Sequence, residues 1–152
     1  MEARIKDLLD KKGRQVYTIQ ASASVYDAIK EMDSHGVGSL IVKDGAKFVG
    51  IVTERDYLRK VTLKGRVSRD TKVATIMSRD LVVIAPDDRI EAAMGVMTEK
   101  RCRHLPVIKD GELDGIVTVG DVVKAVIDEH EFKIHMLEEY MYWPLGRHLQ
   151  RA

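Results

Sequence analysis

Cysteine, proline and aromatic residues are all scarce in this chain, and the shortage of cysteine excludes whole classes of protein. The 152 residues include one cysteine, three prolines and 5% aromatic residues. A single cysteine, Cys102, can form no internal disulfide and no thiolate cluster for zinc. The sequence therefore argues against a disulfide-stabilised secreted protein, and a reducing compartment is the easier fit.

The chain also lacks a long hydrophobic run and an excess of either charge. No segment approaches the roughly 18 apolar residues of a membrane span, and the N-terminus has no apolar signal-peptide core. Lys and Arg number 25 against 24 for Asp and Glu, so no overall field attracts nucleic acid or an anionic membrane. We expect a soluble cytoplasmic protein with no membrane partner.

The strongest positive feature is an internal repeat. Residues 50–56 read Gly-Ile-Val-Thr-Glu-Arg-Asp and residues 115–121 read Gly-Ile-Val-Thr-Val-Gly-Asp, so five of seven positions are identical at an offset of 65 residues. Apolar positions correspond at the same offset without a gap between Val25 and Val61. The duplication indicates two copies of one unit, each too small to bury a good core alone.

Each copy is predicted to run strand, helix, strand, strand, helix. Hydrophobic periodicity and turn residues place these elements, in the first copy, at 16–19, 25–34, 39–42, 47–53 and 56–61. In the second copy they are predicted at 80–86, 88–99, 105–108, 113–117 and 121–128. Asp88 and Glu91 are predicted to form a capping box, and short amphipathic helices are predicted at 5–9 and 73–77.

The fold class is thus α+β (mixed α/β), with two repeated β-α-β-β-α units packed as a pair. We place the first unit and its N-terminal helix at residues 1–65, the linker and second unit at 66–128, and a C-terminal helical extension at 129–152. The final helix is predicted to turn inward the apolar residues Val122, Val123, Val126 and Ile127.

The apolar stripe of the final helix is predicted to outlast the second unit. It continues through Ile134, Leu137 and Met141 to Trp143-Pro144, where proline should end the helix. A domain of this size hardly covers the whole stripe. We therefore expect a homodimer formed through it, the alternative being a helix that folds back onto its own chain.

Together these features resemble a pair of CBS domains, the module named after cystathionine β-synthase. The resemblance rests on the two repeated segments, on Val73-x-x-Ile76-Met77 before the second unit, and on Arg103-His104-Leu105-Pro106-Val107 on its middle strand. It implies a pseudo-two-fold pair that binds AMP, ADP, ATP, NAD(H) or S-adenosyl ligands in clefts between the units. It also implies a homodimer of four units and no catalysis.

The repeated Thr-x-x-Asp admits two interpretations. A helix begins at this point, so backbone N–H groups favour a phosphate, the threonine can donate a hydrogen bond, and the aspartate can accept from both ribose hydroxyls. The same pattern also forms a helix-capping box. The resemblance assigns ligand binding to Thr53, Asp56, Thr118 and Asp121.

Other candidate residues are basic or belong to the segment before the second unit. Arg103 and His104 match family positions near the ligand phosphate, whereas the first copy has Gly38 and Ser39 there, so the two clefts should differ. The remaining candidates are Arg55, Arg66, Lys72, Val73, Ile76, Met77 and Pro106. The apolar ones fit either an adenine-covering surface or ordinary core.

No enzyme motif and no metal-ligand cluster is evident in the sequence. We predict a sensor that needs no cofactor, takes an adenine nucleotide (AMP, ATP or NADH) as its regulatory ligand, and signals to a partner protein. One alternative is a scaffold with empty clefts that acts through the C-terminal helix. Another is a nucleic-acid binder that uses the seven basic residues of 55–72, which the near-zero net charge and few aromatic residues disfavour.

Overall fold

The computed structural model describes the backbone of residues 2–149 and the side chains of residues 2–142. The first half contains α1 (Ile5–Lys12), β1 (Thr18–Gln20), α2 (Val25–His35), β2 (Ser39–Asp44), β3 (Lys47–Thr53), α3 (Glu54–Tyr57) and a π-helical stretch (Leu58–Thr62). The second half contains α4 (Val73–Ile76), α5 (Ile90–Lys100), β4 (His104–Lys109), β5 (Glu112–Thr118) and α6 (Val119–Leu149). The predicted mixed α/β class and the duplication are both confirmed.

The repeat is visible in the strand register. The antiparallel pair β2–β3 places Ser39 opposite Thr53, and the pair β4–β5 places His104 opposite Thr118. Both hairpins carry a register shift directly after the equivalent residues Val42 and Val107. The offset of 65 residues therefore holds in three dimensions as well as in sequence.

The second unit lacks the strand predicted at 80–86. In the first unit, β1 runs parallel to β2, and the N–H of Ile41 donates to the carbonyl of Tyr17. Pro106 occupies the position equivalent to Ile41 and has no N–H to donate, so only an isolated bridge between Ile84 and Val107 forms. The prediction of a full strand was wrong because a proline on the neighbouring strand shortens the ladder.

The capping box predicted at the start of α5 was also wrong. Arg89 is the N-cap residue, and its side chain makes no capping hydrogen bond. The Asp88 carboxylate instead accepts from the backbone N–H of Ala85 at 2.9 Å, which closes the turn before the helix. The equivalent helix in the first unit, α2, is capped by Ser24, which accepts from the N–H of Asp27.

Each unit's hydrophobic core is completed by the helix that precedes the other unit. Helix α1 inserts Ile5, Leu8 and Leu9 into the core of the second unit. Helix α4 contributes to the first core in the same way, with Val73, Ile76 and Met77. This exchange ties the two units together, because each core loses several fully buried side chains without the other unit's leading helix.

The repeated glycine at the head of each seven-residue segment lies beside the exchanged chain. A Cβ atom on Gly50 would lie 2.7 Å from the carbonyl oxygen of Ser78 and 3.0 Å from Sδ of Met77. A Cβ atom on Gly115 would lie 3.0 Å from a methyl carbon of Leu9. The glycine of each repeat therefore leaves room for the segment that packs against it, residues 77–78 at Gly50 and Leu9 at Gly115.

Substitution of Gly50 by alanine is expected to destabilise the fold. The Ser78 carbonyl cannot easily retreat, because Ile51 and Ser78 exchange backbone hydrogen bonds of 3.1 and 2.8 Å. Overpacking of this kind costs about 1–3 kcal/mol, measurable by urea unfolding. In the control Gly95→Ala the new Cβ meets nothing within 4 Å, and a helix interior gains roughly 0.5–1 kcal/mol. Equal stability of Gly50→Ala and the parent would refute the close approach.

Helix α6 differs from its prediction in where it ends and in which of its side chains are buried. It is helical through Leu149, so the expectation that Pro144 ends it was wrong; a proline removes one hydrogen-bond donor and leaves the later turns free to continue. Val122 is buried against the second core as expected, but Val123 and Ile127 are half exposed. A helix turns about 100° per residue, so only one of two adjacent valines can face the core.

The described helices include none that is long and apolar enough to cross a membrane. Among the described residues there is also no group of three or more His, Cys, Asp and Glu side chains placed to hold a metal ion.

Candidate functional site

A cleft of about 770 Å³ lies between the two units. One wall comes from the first unit and includes Tyr17, Gly38 and Glu54. The opposite wall brings together four of the predicted site residues, namely Arg103, His104, Thr118 and Asp121. The cleft is therefore built around the second Thr-x-x-Asp and closed by the first unit.

Thr118 and Asp121 form a capping box at the start of α6. The N–H of Asp121 donates to Thr118 Oγ1 at 3.2 Å, and the N–H of Thr118 donates to Asp121 Oδ2 at 2.8 Å. Among the described residues, Oδ1 of Asp121 takes part in no hydrogen bond. An ionised carboxylate offers about four lone-pair positions, so the capping role leaves Asp121 able to accept from a ligand.

Lys12, the last residue of α1, also lines the cleft, although the sequence analysis did not identify it as a site residue. Its ammonium group lies 2.5 Å from Asp121 Oδ2 and 2.8 Å from the carbonyl oxygen of Ile116. The Lys12 side chain is 30% exposed and that of Asp121 is 21% exposed. No local pattern marks Lys12, because its position beside Asp121 depends on the packing of α1 against the second unit.

His104 lines the cleft and lies opposite Thr118 on the β4–β5 hairpin. A Cβ atom added to Gly38 would be 3.5 Å from His104 Nε2, so the imidazole lies next to the backbone of the first unit. Burial lowers the pKa of His104, the cations Lys12 and Arg103 lower it further, and Asp121 acts in the opposite direction. The imidazole is therefore held neutral at pH 7.

This lowered pKa predicts a pH dependence of stability. Between the folded-state pKa and the unfolded value of about 6.5, the unfolded chain binds more protons than the folded chain. The contribution of His104 is thus complete above about pH 6.5 and is lost as the pH falls below it. The melting temperature of the parent should drop more between pH 7.5 and 5.5 than that of His104→Gln. Parallel curves for the two proteins would show that His104 does not titrate in this way.

The first Thr-x-x-Asp has different surroundings. The Asp56 carboxylate uses both oxygens: Oδ2 accepts from the N–H and hydroxyl of Thr53, and Oδ1 pairs with Lys60 at 3.0 Å. Arg55 reaches across to the second unit and donates to the carbonyl of Arg101 at 3.1 Å. None of these residues lines the 770 Å³ cleft, so the two motifs are unequal in the structure.

The other predicted site residues also lie outside this cleft. Val73 and Ile76 are fully buried in the first core and Met77 nearly so, which corresponds to the core interpretation of these side chains. Pro106 is buried on β4, and its missing N–H shortens the neighbouring ladder. Arg66 and Lys72 are exposed on the linker.

Comparison with known proteins matches the CBS domain twice, at residues 5–63 and 73–128. The mitochondrial CBS domain-containing protein CBSX3 of Arabidopsis thaliana is 42% identical over 146 residues, which is 90% of this chain and 71% of the relative. A solved CBS-domain protein from Burkholderia ambifaria is 43% identical with a TM-score of 0.81, over 83% of this chain and 95% of that one. One from Agrobacterium tumefaciens is 37% identical with a TM-score of 0.78, over 81% of this chain and 98% of that one.

The matched ranges coincide with the two repeated units, and the solved structures share their arrangement. The resemblance inferred from the repeated segments is thereby confirmed. The chain belongs to the CBS-domain family and carries two copies of the domain.

Proposed function

We propose that this CBS pair is a non-catalytic regulatory module. It binds an adenosine-containing ligand, AMP, ADP, ATP or NADH, in the cleft of Thr118 and Asp121 and signals its occupancy to a partner protein. One observation carries the proposal. The Asp121 carboxylate, which can accept from ribose hydroxyls, lines the same cleft of about 770 Å³ as the side chains of Lys12, Arg103 and His104.

In this proposal side chains, more than the helix terminus, hold the phosphate. Two backbone N–H groups at the start of α6 are already engaged: that of Val119 donates to the Arg103 carbonyl, and that of Asp121 donates to Thr118. Arginine and lysine supply the positive charge that a phosphate requires. Asp121 Oδ1 accepts from the ribose hydroxyls.

A related structure supports the ligand class. The CBS domain pair of protein MJ0100 has the same fold, with a TM-score of 0.74 at 22% identity, and was crystallised with 5′-methylthioadenosine and S-adenosyl-L-methionine. A CBS pair of this fold thus has room for an adenosine group. The charged residues of the present cleft, rather than the fold, favour a phosphorylated ligand here.

A thermal-shift panel tests the proposal. AMP, ADP, ATP, NADH and S-adenosylmethionine are added at millimolar concentration, with GMP and inorganic phosphate as controls. A ligand present at 100 times its dissociation constant adds about 2.7 kcal/mol, a shift of several degrees for a chain of this size. At least one adenosine ligand should give this shift, and phosphate alone should not. No shift and no calorimetric heat with any adenosine ligand contradicts the proposal.

A second candidate function is a scaffold that acts through α6, with its clefts empty. The observation in its favour is the row of apolar side chains on α6, which are 50% or more exposed at Ile134, Leu137 and Met141. This candidate predicts partner binding that is unaffected by nucleotides. In both cases we propose a homodimer. The cytoplasmic location stays a prediction, since the Arabidopsis relative is mitochondrial.

A further inference from the structure

The two Thr-x-x-Asp carboxylates obtain their lysine partners from different places. Asp56 pairs with Lys60, four residues later on the same helical segment. Asp121 pairs with Lys12, more than 100 residues away on α1. At the offset of 65 residues, Lys12 corresponds to Met77 and Lys60 to Ala125, so the two arrangements are not copies of one another.

The Lys12 ammonium group and a ribose would share the carboxylate of Asp121. The lysine lies 2.5 Å from Oδ2 of Asp121, whereas Oδ1 is the oxygen that would accept from the ribose hydroxyls. Hydroxyl groups that donate to Oδ1 draw on the same negative charge, so a neutral nucleoside weakens this ion pair and offers Lys12 no replacement anion. Arg103 lies in the same cleft, so weakening the ion pair leaves two neighbouring cations with less negative charge to compensate them, which disfavours binding of the neutral nucleoside.

A phosphorylated ligand removes this conflict. When its ribose engages Asp121, its phosphate supplies the anion that the lysine loses. Lys12 lines the cleft and its long, flexible side chain is 30% exposed, so it can follow the phosphate without a movement of α1. Two other carboxylates line the cleft, those of Asp33 and Glu54, and both disfavour an anion in their own vicinity. The position of the phosphate is thereby restricted to the side of Lys12 and Arg103.

We infer that Lys12 determines the charge of the ligand, selecting a phosphorylated ribose ligand over a neutral nucleoside. This inference rests on the proposed function and specifies its substrate class. It makes Lys12 a specificity-determining residue that moves from the Asp121 carboxylate to the ligand phosphate.

Calorimetric titration of the full-length protein with AMP and with adenosine tests the inference. The parent should bind AMP at least about tenfold more tightly than adenosine, the ratio expected from one charge-assisted hydrogen bond. Lys12→Met, which introduces the residue found at the equivalent position of the other copy, should lower the ratio clearly below the parent's, with adenosine bound at least as tightly as by the parent and the remaining preference for AMP due to Arg103. Lys12→Arg should retain the preference for AMP.

Lys11→Met is the matched control, because it removes the same charge from the neighbouring residue of α1, which does not line the cleft. It should keep the parent's ratio. If the parent binds both ligands and Lys12→Met preserves the ratio, the inference is wrong while the proposed function stands. If the parent binds neither ligand, both are wrong. A purely structural role for Lys12 would weaken the two ligands equally and would also overturn the inference.

Discussion

Replacement of Asp121 by alanine is expected to weaken AMP binding by at least about 100-fold. The proposal places the Asp121 carboxylate against both ribose hydroxyls, and hydrogen bonds to a charged acceptor contribute about 1.5–3 kcal/mol each. The loss also frees Lys12 from its ion pair, so the phosphate interaction that remains keeps the residual affinity above zero. Isothermal titration calorimetry of the variant and the parent measures the difference.

The matched control is Asp56→Ala, which removes the same residue from the other copy of the motif. Asp56 lies outside the cleft and already uses both carboxylate oxygens, so its loss should leave AMP affinity within about threefold of the parent.

Thr118→Asn separates capping from binding, since asparagine caps a helix well but lacks the hydroxyl. Unchanged affinity in Asp121→Ala, or a larger loss in Asp56→Ala, would place the ligand elsewhere.

Deletion of residues 131–152 is expected to convert a homodimer into a monomer. One face of α6 carries a series of apolar residues, interrupted at His130, that are between 43% and 67% exposed: Val119, Val123, Ile127, Ile134, Leu137 and Met141. Leaving such side chains in water forgoes roughly 1.5–3 kcal/mol for each one that a partner would bury. The paired core is complete before residue 131, so the truncated chain should fold. Sedimentation velocity at matched micromolar concentrations reports the mass.

A point substitution sharpens this test. Leu137→Asp places a charge in the middle of the apolar series and should weaken the dimer at least about tenfold. His135→Asp introduces the same side chain two residues earlier, about 160° around the helix, and should leave the dimer unchanged. A monomeric full-length chain, or a truncated chain that dimerises as tightly, would rule out dimerisation through α6.

The duplicated hairpins were predictable because their information is local. Each has alternating apolar residues, a turn and a terminal threonine, and the second copy repeats the first at a fixed offset. The strand at 80–86 failed for a non-local reason, since its ladder depends on Pro106 in another strand. Likewise the apolar stripe of α6 was readable, but which part of it faces the core depends on how α1 and α5 pack against the helix.

The candidate site divides in the same way. Thr118, Asp121, Arg103 and His104 were found because the repeat and the family resemblance point to them. Lys12 was missed, because the amphipathic pattern of α1 predicts a helix that covers a core without indicating whose core it covers. Exchange of α1 between units is a tertiary event, and the charge it brings to Asp121 is visible only in the folded chain.

A crystal structure of the full-length protein grown with saturating AMP tests the central claim most directly. We expect one AMP in the cleft between the units, with its ribose hydroxyls within hydrogen-bonding distance of the Asp121 carboxylate and its phosphate beside Lys12 and Arg103. An empty cleft, or AMP bound at Asp56 or on the outer surface, would contradict the account.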